Sequence, residues 1–289
     1  MGEMKQVLEQ RDPPAGHWVG DGFPVRSLFS YADTAEALSP FLLLDYAGPA
    51  EFPAAGQPRG VGPHPHRGFE TVTLVYRGEV AHRDSTGQGG IIGPGDVQWM
   101  TAGSGILHEE FHSADFTRRG GLLEMVQLWV NLPARSKLTP PRYQAIRDGE
   151  IPRVAAGPGA VLRVIAGSLG GVNGPARTHT PMLVGDLALA AGATAELKLT
   201  AGWTGALAVL QGTVQVNQDQ VGRAAGLFIL DRNGTRVRLE ANNEVRLLVL
   251  AGQPLAEPVV GHGPFVMNTR DEIRQAIEDF NLGRFGRMS

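Results

Sequence analysis

Cysteine is absent from this chain. That single absence excludes disulfides, thiolate metal sites and cysteine nucleophiles together. Long apolar runs are missing too, since none approaches the ~20 residues a membrane span needs. The first dozen residues are polar and charged, with no apolar core ahead of a small-residue cleavage site, so no secretion signal is expected. Neither sign of charge dominates: 26 Lys and Arg stand against 29 Asp and Glu, a formal net charge of −3. Such a balance offers no electrostatic footprint for nucleic acid or an anionic membrane. A cytoplasmic protein with neither contact is the resulting expectation. Glycine is what the chain has in plenty, with 39 Gly and 20 Pro beside 42% hydrophobic residues. That apolar content is too high for disorder, and many short strands joined by tight turns fit it better than long helices.

The pattern along the chain agrees. The terminal stretch Met1 to Asp12 reads as a frayed or loosely docked end. His17 to Val25 holds a Gly-Asp-Gly turn between apolar residues and predicts a hairpin. Phe41 to Tyr46 reads as a buried strand after Pro40. Phe69 to Tyr76 is dense in β-branched and aromatic residues, and a turn at Gly78 returns it through Glu79 to Ser85. Val97 to Met100, Ile106 to Phe111 and Leu122 to Val130 continue strand by strand. Past Asp148 the theme repeats, at Leu187–Leu189, Glu196–Leu199, Ala206–Leu210, Thr213–Val216, Val237–Leu239 and Val245–Val249. The turn of Leu74 to Val80 recurs as Val209 to Val214, with Gly212 standing 134 residues after Gly78. Two similar β-barrels in tandem, 1–147 and 148–289, are the simplest reading. One helix is well marked, opening on the capping box Thr269 to Glu272 and closing at Gly283.

Chemistry concentrates between Pro63 and Glu110. On a strand, residues two apart share a face. His64 and His66 therefore converge, as do His108 and Glu110, while Glu109 points away. Three imidazoles and one carboxylate suit a divalent Fe, Mn, Ni, Cu or Zn ion, with positions left open for substrate and O₂ or water. Glu70 shares the parity of His64 and His66 and can either reach the metal or support the strand end. His82, beside Arg83 and Asp84, reads as a hydrogen-bonded structural histidine. His17, His112, His179 and His262 have no partner at ligand spacing. In the second repeat the positions equivalent to His64 and His66 are Lys198 and Thr200, so one metal per chain is expected. Gly103-Ser104-Gly105 lacks a strand–elbow–helix setting for a serine nucleophile. Gly93-Pro94-Gly95-Asp96 is too short and too rigid for a phosphate loop.

His64 to Thr73, Gly93 to Gly103 and Gly105 to Glu110 closely resemble the pirin family of the cupin superfamily. Gln127 to Pro133, Pro140 to Tyr143 and the tail Gly263 to Thr269 resemble it as well, so the likeness spans nearly everything after Trp18. It implies an all-β bicupin: two tandem jelly-roll-like barrels, a C-terminal helix, and the metal in the first barrel. The family's ligands fall on His64, His66, His108 and Glu110, with Fe(II) the usual metal. The implied activity is a quercetin 2,3-dioxygenase, opening a flavonol-like ring with O₂ and releasing carbon monoxide, with Glu110 as the base for the 3-hydroxyl. Phe41, Phe52 and Trp99 are candidates for lining its pocket. The chain is expected to be a monomer. One departure is Glu109, where many relatives carry a small residue. Two other readings stand beside the enzyme: a metal-binding, redox-sensitive regulator acting through a protein partner, and a different cupin reaction on a small metabolite.

Overall fold

The structure is a computed structural model describing residues 2–288. In chain order its strands begin with β1 (Val7–Arg11), β2 (His17–Val19), β3 (Phe23–Ser30), β4 (Phe41–Phe52), β5 (Gly60–His66) and β6 (Phe69–Arg77). They continue with β7 (Val80–Asp84), β8 (Gly89–Ile92), β9 (Val97–Thr101), β10 (Ile106–His112), β11 (Gly121–Asn131) and β12 (Arg142–Ile146). The second half holds β13 (Arg153–Gly157), β14 (Ala160–Ala166), β15 (Ser168–Leu169), β16 (Val172–Asn173), β17 (Met182–Leu189) and β18 (Thr194–Lys198). After these come β19 (Thr204–Gln211), β20 (Thr213–Val216), β21 (Gln220–Arg223), β22 (Gly226–Leu230), β23 (Arg236–Ala241) and β24 (Val245–Gly252). A last hairpin, β25 (Val260–His262) with β26 (Phe265–Met267), precedes the terminal helix. The helices are α1 (Tyr31–Leu38), α2 (Ala114–Arg119) and α3 (Arg270–Asn281).

The chain forms two compact units, and they are not sequential halves. The N-terminal unit takes Gly16–Tyr31, Phe41–Asp148 and the tail Ala256–Ser289; the C-terminal unit takes Met1–Ala15, Ala32–Pro40 and Gly149–Leu255. The division expected at 147/148 thus falls beside the junction of Asp148 and Gly149, but each unit also recruits a distant chain end.

Each unit is a jelly-roll-like pair of sheets. Among the described residues the N-terminal unit has a seven-stranded sheet, β12-β9-β6-β11-β4-β3-β2, and a four-stranded one, β5-β10-β7-β8. The C-terminal unit repeats this position by position as β1-β22-β19-β24-β17-β14-β13 and β18-β23-β20-β21. In each, apolar residues from both sheets meet in one core: Val25, Val75 and Met125 with Val80 and Ile92 in the first, Leu207, Val209 and Val249 with Val216 and Val237 in the second. This alternation of inward apolar residues is what turns short β-branched runs into stacked sheets. Gly78 and Gly212, the repeat's landmarks, adopt φ of +79° and +81°, a left-handed turn that suits glycine.

The sheet orders show why the N-terminus is not frayed, as the sequence led us to expect. The edge strand that β12 supplies to β9 in the first unit is supplied to β22 in the second by β1, from the far end of the chain. Val7 pairs with Leu230 and Arg11 with Leu227. Lys5 is fully buried, its Nζ donating to the carbonyl oxygen of Asp231 at 2.9 Å and, at 3.4 Å, to those of Trp203 and Asn233. The polar, barely alternating Val-Leu-Glu-Gln-Arg run hid this pairing, because an edge strand owes its place to backbone hydrogen bonds more than to side chains.

Helix α3 forms as its capping box predicts: Thr269 Oγ1 accepts from the Glu272 amide while Glu272 accepts from the Thr269 amide. Ile273 and Ala276 are buried, while Phe280 remains 38% exposed. Arg67 reaches this helix, donating from Nη1 to Asp279 at 2.8 Å in a buried ion pair. Lys137, also buried, donates to the Gly68 and Val266 carbonyls, each at 2.8 Å, and to Asn131 at 2.7 Å. The tail is thereby fastened around the Arg67-Gly68 corner that ends β5.

Two outcomes follow from this packing. Deleting residues 1–11 exposes the edge of β22 and strands its backbone donors, so the C-terminal unit should melt earlier and aggregate; an unchanged calorimetric trace contradicts the pairing. Glu70, opposite Thr101 on β6 and β9, accepts the Thr101 hydroxyl at 2.6 Å, and burial pushes its carboxyl up to about 7. The unfolded carboxyl titrates near its ordinary value, so the stability from protonated Glu70 is complete below about pH 4.5 and is lost as pH rises through about 7. Melting temperatures measured between those values should therefore fall for the native chain relative to Glu70→Gln. A constant difference rules the assignment out.

Candidate metal centre

The four-stranded sheet of the N-terminal unit places the histidines. β10 lies between β5 and β7, so His108 stands opposite His64 on one side and Asp84 on the other. Burial along β10 alternates strictly, with Ile106, His108, Glu110 and His112 inside and Leu107, Glu109 and Phe111 turned outward. Glu110 thus follows His108 inward, whereas Glu109 pairs with Arg83 at 2.7 Å. That ion pair accounts for the extra carboxylate without bringing it to the centre. His112 Nε2 donates to the Gly22 carbonyl, 2.9 Å away, and the ring packs edge-on against Phe23, Phe52 and Phe116.

One ring nitrogen from each of His64, His66 and His108 lies within 4.8 Å of the others. The ring centroids are 4.2 to 4.9 Å apart. Their remaining nitrogens are engaged: His64 Nδ1 is 2.9 Å from the Gly62 carbonyl and His66 Nδ1 is 3.4 Å from that of Pro264. A carbonyl can only accept, so in the neutral form each ring carries its proton on Nδ1 and presents a bare Nε2. His108 Nε2 is buried and has no hydrogen-bond partner among the described residues. Burial, with the neighbouring imidazoles adding to it, holds His66 and His108 well below the usual imidazole range; the Pro264 carbonyl pulls His66 only partly back. Uncharged imidazoles with bare nitrogens are what a divalent metal requires.

Glu110 is fixed from behind. Its Oε2 accepts from Gln127 Nε2 at 3.1 Å, while the single hydroxyl proton of Thr73 is shared between Gln127 Oε1 at 2.6 Å and Glu110 Oε1 at 3.3 Å. Glu110 groups at ligand spacing with His108 and, unexpectedly, with His82. Glu70, turned into its pair with Thr101, joins neither group. This donor set fits one metal ion, and the His/Glu cluster in its setting points to a single site.

A cavity of about 400 Å³ adjoins the cluster, lined by His64, His66 and Glu110 and walled by Phe23, Val25, Val61, Met125 and Trp129 among others. Phe41, Phe52 and Trp99, the expected walls, do not line it. A register shift in the pairing with β11 falls between Leu43 and Phe41 and takes Phe41 out of the alternation that sends Asp45 and Ala47 inward. Phe52 packs on His112 and Phe116, and Trp99 is fully buried in β9. Asp45 and Gln127, which are register partners, supply polar atoms to the cavity. Burial raises the Asp45 carboxyl, opposed by its hydrogen bond from Ser27. The signal that could have found them is a polar residue interrupting an otherwise apolar strand.

With this geometry in view, comparison with known proteins is direct. The pirin family model matches residues 22–130, and that of the pirin C-terminal cupin domain matches 184–286. A Pseudomonas aeruginosa protein named "Putative quercetin 2,3-dioxygenase" is 62% identical over 283 residues, 98% of this chain and 99% of its own. Human pirin is 40% identical over 255 residues, 86% of this chain and 83% of its own. A crystal structure of quercetin 2,3-dioxygenase from Acinetobacter baumannii superposes with a TM-score of 0.97 at 52% identity, covering 99% of this chain and all of that one. These relationships support a pirin-type dioxygenase, and among the described residues no helix is long and apolar enough to cross a membrane. By family model, sequence identity and fold, the chain belongs to the pirin family of bicupins.

Proposed function

We propose that His64, His66, His108 and Glu110 hold one divalent transition metal, iron(II) in the first instance, and that the chain is a quercetin 2,3-dioxygenase that opens a flavonol-like ring and releases carbon monoxide. One observation carries this reading: three imidazoles, two of them buried, and a carboxylate gather beside an apolar cavity of about 400 Å³. A cavity of that size suits a small aromatic ligand. A redox-active ion held there supplies a Lewis acid for the substrate's hydroxyl and one-electron chemistry with O₂.

The rest belongs to the protein. Glu110 accepts the proton of the flavonol 3-hydroxyl, while Thr73 and Gln127 fix the direction of its oxygens. Trp129, Phe23, Val25 and Met125 hold the flat rings and exclude water. Asp45, polar on the cavity wall and steadied by Ser27, meets a hydroxyl elsewhere on the substrate. A cytoplasmic setting, with a ready supply of small metabolites and reduced metal, belongs to the same reading.

Iron-loaded protein mixed with quercetin under nitrogen and then exposed to O₂ should consume O₂ and release carbon monoxide in equal amounts. His66→Ala and Glu110→Ala should abolish both; carbon monoxide release surviving in variants of known metal content contradicts the assignment. Gln127→Met keeps volume but removes the donor to Glu110, so turnover should fall about 10- to 100-fold. Substrate binding without turnover in the fully loaded chain, together with capture of a protein partner, would favour the regulatory reading instead.

A further inference from the structure

A second polar group stands on the other side of His108, and it does not line the cavity. His82 lies opposite Glu110 on β7, buried, with Tyr143 stacked on its ring at 5.2 Å and 17°. Its Nδ1 is 3.3 Å from His108 Nδ1 and 3.2 Å from Gln98 Nε2. Its Nε2 faces Asp84 Oδ2 at 3.5 Å, an electrostatic contact longer than a hydrogen bond. Asp84 is held in turn through Oδ1, which accepts from the Thr86 amide at 2.8 Å, the Thr86 hydroxyl at 2.6 Å and the Gln88 amide at 3.2 Å.

With the Gln98 amide nitrogen facing it, His82 Nδ1 must be an acceptor, because an amide nitrogen offers only donors. The proton of neutral His82 then sits on Nε2, aimed at Asp84. His82 Nδ1 being bare, the contact to His108 is a hydrogen bond only if His108 Nδ1 donates. The last ring nitrogen, His108 Nε2, is left unprotonated; like His82 Nε2 and Asp84 Oδ2 it is buried without a hydrogen-bond partner among the described residues, but it alone of the three belongs to the cluster with His64 and His66. We infer that His82, faced by Gln98 on Nδ1 and by Asp84 on Nε2, completes a train of polar contacts that fixes His108 in the Nδ1–H form and aims its Nε2 at the metal. His82 and Asp84 are therefore positioning residues for a ligand of the proposed centre. Metal-bound histidines are commonly oriented in this way by a partner on their second nitrogen, which also raises the ligand's basicity. His64 and His66 use carbonyls for the purpose; His108, deepest of the three, uses an imidazole backed by a carboxylate.

The competing arrangement makes His82 itself a ligand, since it groups at ligand spacing with His108 and Glu110. Two observations oppose it. Gln98 Nε2 already faces His82 Nδ1, and His82 has no place on the wall of the cavity beside His64 and His66.

The inference rests on the metal reading, but its first test does not. Side-chain nitrogen–proton correlation NMR of ¹⁵N-histidine-labelled protein, stripped of metal by a chelator, should show His108 as the Nδ1–H tautomer and His82 as the Nε2–H tautomer. After one equivalent of zinc, Nε2 of His64, His66 and His108 should take metal-bound shifts while His82 keeps its own. Zinc affinity, measured by competition with a chromophoric chelator, should weaken about 10- to 100-fold in His82→Leu and recover largely in His82→Gln, which restores an acceptor. Asp84→Asn keeps shape, loses the charge, and should weaken zinc by a smaller factor, giving the same evidence if His82→Leu does not fold. A His82 Nδ1–H tautomer, a metal-bound shift on His82, or undiminished zinc affinity in folded His82→Leu each overturns the train. Failure of zinc to bind the unaltered chain would instead contradict the metal centre, leaving the tautomers to decide the train alone.

Discussion

The constraint on which the N-terminal unit turns is the burial of His66 and His108 as uncharged imidazoles beside the half-buried His64. Leaving a buried polar atom unpaired costs about 1–3 kcal/mol, and a protonated ring in the same place would cost far more. The fold must therefore spend other contacts on holding these rings neutral and correctly turned. It does so with three different partners on Nδ1: the Gly62 carbonyl for His64, the Pro264 carbonyl for His66 and the His82 ring for His108. Burial lowers the pKa of His66 and His108 in the direction that metal binding needs. The local instability is the same feature that gives the proposed site its affinity.

That constraint also explains why the C-terminal tail belongs to the N-terminal unit. Pro264 reaches His66 only because its neighbours are tied down, by the Arg67 amide to the Pro264 carbonyl at 3.3 Å and the Val266 amide to the Arg67 carbonyl at 3.1 Å. Lys137 bridges Gly68 and Val266, and the Arg67–Asp279 pair anchors α3 to the same corner. In the C-terminal unit the same sheet order is built without such demands. By the offset between the Gly78 and Gly212 turns, Lys198 and Thr200 fall at the positions of the first two imidazoles, and a strand from the N-terminus completes the sheet at its edge.

Much of this was legible in the residues. Strand parity separated Glu110 from Glu109, and the alternation of burial on β10 follows the same rule. The capping box at Thr269 and the glycine turns at Gly78 and Gly212 were readable because they depend on local backbone chemistry. What depends on tertiary pairing was not. β1 gave no apolar signal, and its role follows from an edge left open some two hundred residues away. Helices α1 and α2 are short and bury little, Thr34 and Leu38 in one and Phe116 and Thr117 in the other. Of the candidate cavity walls, Phe41 is turned away by a bulge in β4, while Phe52 packs on His112 and Trp99 is buried in β9. His82 reads from sequence as a hydrogen-bonded structural histidine, and only the fold brings it beside His108, with 3.3 Å between their Nδ1 atoms.

The account centres on a single ion bound by the bare nitrogens of His64, His66 and His108 with Glu110 beside them. The most direct measurement is anomalous diffraction at the iron edge from crystals of the iron-loaded chain. One peak per chain, within bonding distance of those three Nε2 atoms and on the cavity side of His108, is the predicted result. A peak between His82 and His108, or one in the C-terminal unit, would contradict it.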